Sequence, residues 1–267
     1  MKKIIQIFLL IVVIFPFVLP DGLFAQSAGS GGPVRLKVLC YNIRFGELAS
    51  LEELAGFIKS QNPDVVALQE VDVKTNRPRA LHQNGKDFIT ELGYRTGMLT
   101  AYAKTIPHEG GYYGIGILSR YPFVETRRIM LPYPKGSKEQ RALLLANLEL
   151  PDGKLFTFVS THLDYPSSEV RQAQVKALNE TLKSNLYPVI VAGDFNGAPD
   201  SPEISQGMLA WKQVSSPDFT IPATAPRAKI DYIFCFPGIS WKVITANTPR
   251  VTLSDHLPVS AELELTF

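Results

Sequence analysis

Sulfur and tryptophan are scarce in this chain, with two cysteines, four methionines and two tryptophans in 267 residues. Two cysteines form no CxxC pair and no cysteine–histidine spacing, which excludes a disulfide scaffold and a structural zinc site. Cys40 and Cys235 each lie inside an apolar run, where a thiol packs as a small hydrophobe, so buried free thiols are expected even though export would permit a pair. An excess of one charge is also missing. Lys plus Arg number 27 against 25 Asp plus Glu, and the basic residues are scattered, so composition does not call for a nucleic-acid or membrane partner. No internal repeat is visible, which excludes solenoids and propellers. With 45% hydrophobic and 19% charged residues, the chain can build one large core and is not a disordered polymer.

The one long apolar run is at the start. Lys2 and Lys3 precede Ile4 to Leu19, which Pro16 interrupts, and Leu23-Phe24-Ala25 offers an exit. This is the order of a secretory signal peptide, expected over residues 1–25, with cleavage after Ala25 or Ala28; an uncleaved anchor is the alternative, on a stretch shorter than a full span. Residues 26–33 read as a flexible Gly/Ser-rich connector and 34–267 as one catalytic domain. The expectation is export to the periplasm or the exterior, with no membrane span left after cleavage and a monomeric product.

Beyond the connector, short apolar runs alternate with amphipathic stretches. Strands are expected at 34–42, 65–68, 113–118, 143–150, 155–160, 189–192, 229–234, 241–246 and 259–267. Helices are expected at 50–59, capped by Ser50 with Glu53 completing a capping box, at 81–92, and at 167–182 behind Ser167 or Ser168. Pro151-Asp152-Gly153-Lys154 reads as a hairpin turn. Strands outnumber helices, and the helices come in separated pieces, which favours a layered α/β architecture with two packed sheets.

Polar residues gather where the apolar runs stop. Asn42 ends the first strand, Gln69 and Glu70 the second, and His162 follows Phe156 to Ser160. Asp194 and Asn196 follow the apolar Pro188 to Ala192, with Phe195 turned to the opposite side. Ser254-Asp255-His256 precedes the last strand. A glutamate at a strand end can bind a hard cation through oxygen. A carboxylate can accept the proton of an attacking water, and a histidine beside a carboxylate is biased towards its cationic form.

Seven segments taken in order, Tyr41-Asn42-Ile43-Arg44, Leu68-Gln69-Glu70-Val71, Tyr113 to Arg120, Ser160-Thr161-His162-Leu163-Asp164, Gly193-Asp194-Phe195-Asn196, Ile230-Asp231-Tyr232-Ile233 and Ser254-Asp255-His256, resemble the endonuclease/exonuclease/phosphatase superfamily. The Gly110 to Gly114 segment looks like that of its small secreted bacterial members. The resemblance implies the deoxyribonuclease-I-like fold, a four-layered α/β sandwich of two mixed β-sheets flanked by helices, and Mg²⁺ or Mn²⁺ as cofactor. It implies Glu70 as main metal ligand with Asn42 nearby, and Asp194 and Asn196 preparing the nucleophile. His256, supported by Asp231 or Asp255, and His162 would face the scissile phosphate, with either Asp194 or an Asp–His pair as general base. Lys104, His108, Tyr112 and Arg141 are candidates for gripping substrate. The expected activity is metal-dependent hydrolysis of a small or lipid-derived phosphoester, as phosphodiesterase or phosphatase, by direct attack of water. A secreted nuclease is the alternative. A non-catalytic binding protein on this scaffold would need a missing catalytic group, and none is missing.

Overall fold

A computed structural model gives the protein's structure and describes residues 32–237 and 240–267. The expected signal peptide and most of the connector lie outside the described residues. None of the described helices is long and apolar enough to cross a membrane.

Among the described residues, twelve strands form two six-stranded sheets. The first runs β11 (Ser240–Asn247), β12 (Val259–Thr266), β1 (Val34–Asn42), β2 (Val65–Val73), β4 (Gly111–Ser119), β3 (Leu99–His108). The second runs β5 (Phe123–Met130), β6 (Ala142–Glu149), β7 (Leu155–His162), β8 (Val189–Asp194), β10 (Asp231–Cys235), β9 (Lys212–Gln213). Each sheet is antiparallel except for one central parallel pair, β1 with β2 and β7 with β8. The inner faces share one core, in which Cys40 and Cys235 are buried and free as expected. Helices α1 (Leu51–Gln61) and α2 (Phe88–Thr96) cover the first sheet through a second core that includes Leu54, Ile58, Leu68 and Phe88. Helix α3 (Ser168–Leu182) covers the second sheet through a third core with Val175, Leu178 and Phe195. The result is the expected four-layered sandwich.

Local chemistry sets the helix limits. Ser50 and Glu53 form the capping box of α1, and its apolar stripe of Leu51, Leu54, Ala55 and Ile58 faces inward. Ser167, not Ser168, caps α3 by accepting the Val170 N–H. The helix expected over 81–92 is in fact two pieces. Pro78–Gln83 makes a short 3₁₀ turn, Gly85 takes a left-handed conformation, and α2 starts only after Asp87, which accepts the Thr90 N–H. A one-turn helix, α4 (Pro202–Ser205), lies in a segment to which the sequence reading assigns no element.

Two further differences bear on the site. The second strand does not stop at Leu68 but runs to Val73, and its pairing with β4 skips Glu70, which sits in a β-bulge with a left-handed φ of 57°. The bulge turns the glutamate out of the sheet's alternation and towards the rim. Strands β3 and β5 carry no clear apolar pattern because they are edge strands. All but two residues of β5 are exposed, including Glu125, Arg127 and Arg128, whose charges protect the open edge.

Candidate active site

At one rim of the sandwich the ends of β1, β7 and β8, the bulge in β2 and the entrances to β10 and β12 converge on a cleft of about 340 Å³. Glu70, His162, Asp194, Asn196 and His256 line it. Residues from six separate segments therefore meet in one place, and His162 and His256 share one cleft.

Asp194 is the centre of the arrangement. It is buried at the end of β8, and its Oδ2 accepts the Asn42 Nδ2–H at 3.0 Å while Oδ1 accepts the Asn196 backbone N–H at 2.9 Å. His162 Nε2 and His256 Nε2 approach the same Oδ2 at 3.5 Å and 3.7 Å. Burial and the Asp231 charge push the Asp194 carboxyl above its ordinary range, against the opposing pull of His256, the Asn196 N–H and Asn42. An acceptor poised near neutrality suits proton removal from water. Phe195 turns away as expected, packing edge-on against Tyr232 and Phe234 in the outer core.

His256 is the cation. Its Nδ1 lies 3.0 Å from Asp231 Oδ2 and 3.2 Å from Oδ1. Burial alone works against its charge, but the Asp231 and Asp194 carboxylates outweigh it and hold the imidazolium to about pH 10. Of the two carboxylates that the sequence leaves open as its support, Asp231 is the one in contact. Asp255 bonds Arg44 instead and does not line the cleft.

Glu70 accepts the Asn42 Nδ2–H at 3.1 Å, and among the described residues no basic side chain pairs with it. Loss of water raises its carboxyl above the usual range, an effect that Asn42 and His256 only partly offset. A carboxylate in that condition has the chemistry of a ligand for a hard divalent cation. Asn42 donates from its amide nitrogen to both Glu70 and Asp194, and its oxygen accepts the Arg44 N–H, so it fixes Glu70; ligation through its oxygen would require turning the carboxamide over. Asp194, Asp231 and His256 also bring ligating atoms within 4.8 Å of one another. With an imidazolium already lying between two carboxylates, that triad carries its own positive charge.

Of the substrate-gripping candidates, His108 and Arg141 line the cleft. Lys104 and Tyr112 do not. They stack on each other, the ammonium 4.6 Å from the ring centroid, on the exposed surface of the β3–β4 hairpin. The sequence reading missed Phe45, Arg77, Arg79, Tyr113, Glu139 and Tyr165, which also line the cleft. Arg77 is held by buried Asp72 through two hydrogen bonds, with its guanidinium carbon 4.1 Å from the Phe45 ring centroid. The only available signal was a pair of arginines around Pro78 just past a strand end.

The Endonuclease/Exonuclease/phosphatase family model matches residues 39–256, and the chain belongs to this family, whose members are phosphoester hydrolases. Protein YbhP of Escherichia coli strain K12 is 29% identical over 250 residues, covering 86% of this chain and 96% of YbhP. An endonuclease/exonuclease/phosphatase from Bacteroides vulgatus superposes with a TM-score of 0.71 at 20% identity, over 87% of this chain and all of its own. The mannosyl-6-phosphatase of Bacteroides thetaiotaomicron does so with a TM-score of 0.66 at 17% identity, over 87% of this chain and 100% of the phosphatase. At those identities the two structures establish the deoxyribonuclease-I-like fold and nothing finer.

Proposed function

We propose that the chain is an exported, Mg²⁺-dependent hydrolase of a small or lipid-derived phosphoester, acting by direct attack of water. The observation that carries this reading is the pairing of a buried acceptor, Asp194, with a cationic donor, His256, in one small cleft. Asp194 takes the proton of the water. Asn196, whose amide nitrogen is tied to the Leu163 carbonyl at 2.9 Å, keeps its carboxamide oxygen free to orient that water. His256, charged and anchored by Asp231, faces the phosphoryl oxygens and stabilises the negative charge that builds there. A divalent cation held by Glu70 would supply Lewis-acid polarisation of a phosphoryl oxygen. The export reading rests on the charged and apolar order of residues 1–25.

Substrate size follows from the cleft. A volume of about 340 Å³ lies at the low end for small-molecule sites. Its arginines are committed to acids: Arg77 to Asp72, Arg79 to Glu47, and Arg141 to Glu139. A groove that tracks a nucleic-acid backbone needs free cations along its length, so a nuclease is the weaker reading. The test is hydrolysis of bis-p-nitrophenyl phosphate, p-nitrophenyl phosphate, an inositol phosphate, sphingomyelin and plasmid DNA in Mg²⁺, with an EDTA control. Metal-dependent release from a small ester or lipid with DNA intact is expected. Rapid nicking of DNA with the esters untouched would overturn the substrate class.

A further inference from the structure

Arg141 lines the cleft, where a cation would be expected to grip the substrate phosphate, yet it is only 2% exposed and both terminal nitrogens of its guanidinium face partners. Nη1 lies 3.1 Å from His162 Nδ1, and Nη2 lies 3.1 Å from Glu139 Oε2. Tyr113 also lines the cleft, and Asp164 Oδ1 stands 3.8 Å from the Arg141 Nε, which has no hydrogen-bond partner among the described residues. Asp164 is itself fixed, accepting backbone N–H groups from Lys138 at 2.7 Å and Tyr165 at 3.1 Å.

The contact with His162 has only one possible sense. A guanidinium has five N–H donors and no acceptor, so Nη1 donates and Nδ1 must accept through its lone pair. An imidazole that accepts at Nδ1 carries its proton on Nε2. That nitrogen points into the cleft, 3.5 Å from Asp194 Oδ2. His256 is built the opposite way, with a carboxylate behind its Nδ1 instead of an arginine. Two histidines thus flank one carboxylate oxygen, one backed by an anion and the other by a cation.

We propose that Arg141 is a positioning residue that fixes His162 as a neutral imidazole with its single proton on Nε2, so that His162 serves the reaction as a hydrogen-bond donor and never as the base. The functional part of this inference rests on the hydrolase reading above; the tautomer does not. Burial, Arg141 and His256 all act in the same direction, pushing His162 well below its ordinary range. The arrangement also has an electrostatic reason. Two imidazolium rings sharing one carboxylate oxygen at 3.5 Å and 3.7 Å would repel each other, and a neutral donor removes that cost while still offering an N–H to a phosphoryl oxygen. It leaves proton removal to Asp194.

The test is long-range ¹H–¹⁵N correlation of the imidazole rings in the purified protein without metal or substrate. The chain has four histidines, and His162 is assigned by its loss in His162→Gln. The expected pattern at pH 7.5 is a protonated Nε2 and an unprotonated Nδ1. A protonated Nδ1, alone or together with Nε2, overturns the proposal whether or not the protein proves to be a hydrolase. In Arg141→Gln the fixed pattern is expected to give way to a mixture of tautomers, with kcat down about 10- to 100-fold, as for other residues that orient a reacting group through a hydrogen bond, and KM little changed. Arg141→Lys keeps the charge beside Asp164 and Glu139 and provides the folded comparison should the glutamine variant not fold; its ammonium, like the guanidinium, can only donate to Nδ1, so the Nε2 proton is expected to stay and a protonated Nδ1 there overturns the proposal. An unaltered His162 signature in Arg141→Gln means that Arg141 does not set it.

Discussion

Replacing Asp231 by Asn should produce an activity loss that depends steeply on pH. The substitution keeps the size and leaves an amide able to bond His256 Nδ1, but it removes the nearer of the two charges that sustain the imidazolium. With Asp231 in place His256 titrates near 10, against 6.5 for a free imidazole, a preference for the charged ring of about 5 kcal/mol. At pH 8 a group titrating near 10 is about 99% protonated, whereas one returned to its ordinary value is about 3% protonated. The expected loss at pH 8 is therefore about thirtyfold, and at pH 6 less than about twofold, because the free imidazole is then still mostly charged. The sign is fixed by the raised value: once Asp194 has ionised near neutrality, wild-type activity holds as pH rises until His256 deprotonates near 10, and the variant's alkaline decline moves down towards neutrality. Bis-p-nitrophenyl phosphate suits the assay because a diester does not change charge over this range; kcat/KM is measured from pH 5.5 to 10 in Mg²⁺, with product read after an alkaline quench. A loss of equal size at pH 6 and pH 8 would refute the reasoning, since Asp231 would then orient His256 without sustaining its charge.

Glu70→Gln removes the carboxylate that fits the cation, so half-maximal activity should need at least about tenfold more Mg²⁺, checked by metal titration after EDTA treatment; an unchanged titration would remove Glu70 as ligand. Asp194→Asn should lower kcat by about 10²- to 10⁴-fold, the usual contribution of a general base. Retained turnover would move the base elsewhere. Gly114→Ala should destabilise the rim without touching a reacting group. A Cβ there would stand 2.0 Å from the Ala103 carbonyl oxygen on the neighbouring strand, overpacking worth about 1–3 kcal/mol, and for a domain of this size Tm should drop by roughly 2–12 °C. A Tm within error of wild type would show that β3 and β4 separate freely.

The central strands were legible because they are buried on both faces and therefore continuously apolar, as in Val189 to Ala192. The helix limits were legible where a capping residue stands next to an apolar stripe, as at Ser50; before α2 the same signal, Asp87 ahead of Phe88 and Ile89, was masked by Leu81, which extends the apolar spacing back into a separate 3₁₀ turn. Edge strands escaped the same logic. In β5 the charges that keep the strand from pairing with another chain are the residues that erase its apolar pattern. The bulge at Glu70 escaped too, because a residue skipped in a ladder depends on the partner strand, and β4 follows β2 by some forty residues.

Within the site, legibility depended on direction as well as on proximity. Asp255 and His256 are neighbours in sequence and look like a pair, but they lie in a bend before β12, where the His256 N–H turns back to Ser254 Oγ, and their side chains part. His256 turns inward to the cleft, while Asp255 turns towards Arg44 on the loop after β1. The carboxylate that does reach the imidazole comes from Asp231, 25 residues away, at the start of β10. It arrives there because β10 pairs with β8 in a register that sets Asp231 directly opposite Asp194. One ladder thus places both carboxylates on the same imidazole, and the histidine's charge is a property of the sheet register more than of the local motif. A change that slipped this register by one residue would turn Asp231 to the other face and release His256, although every residue of the Ser254-Asp255-His256 motif stayed in place.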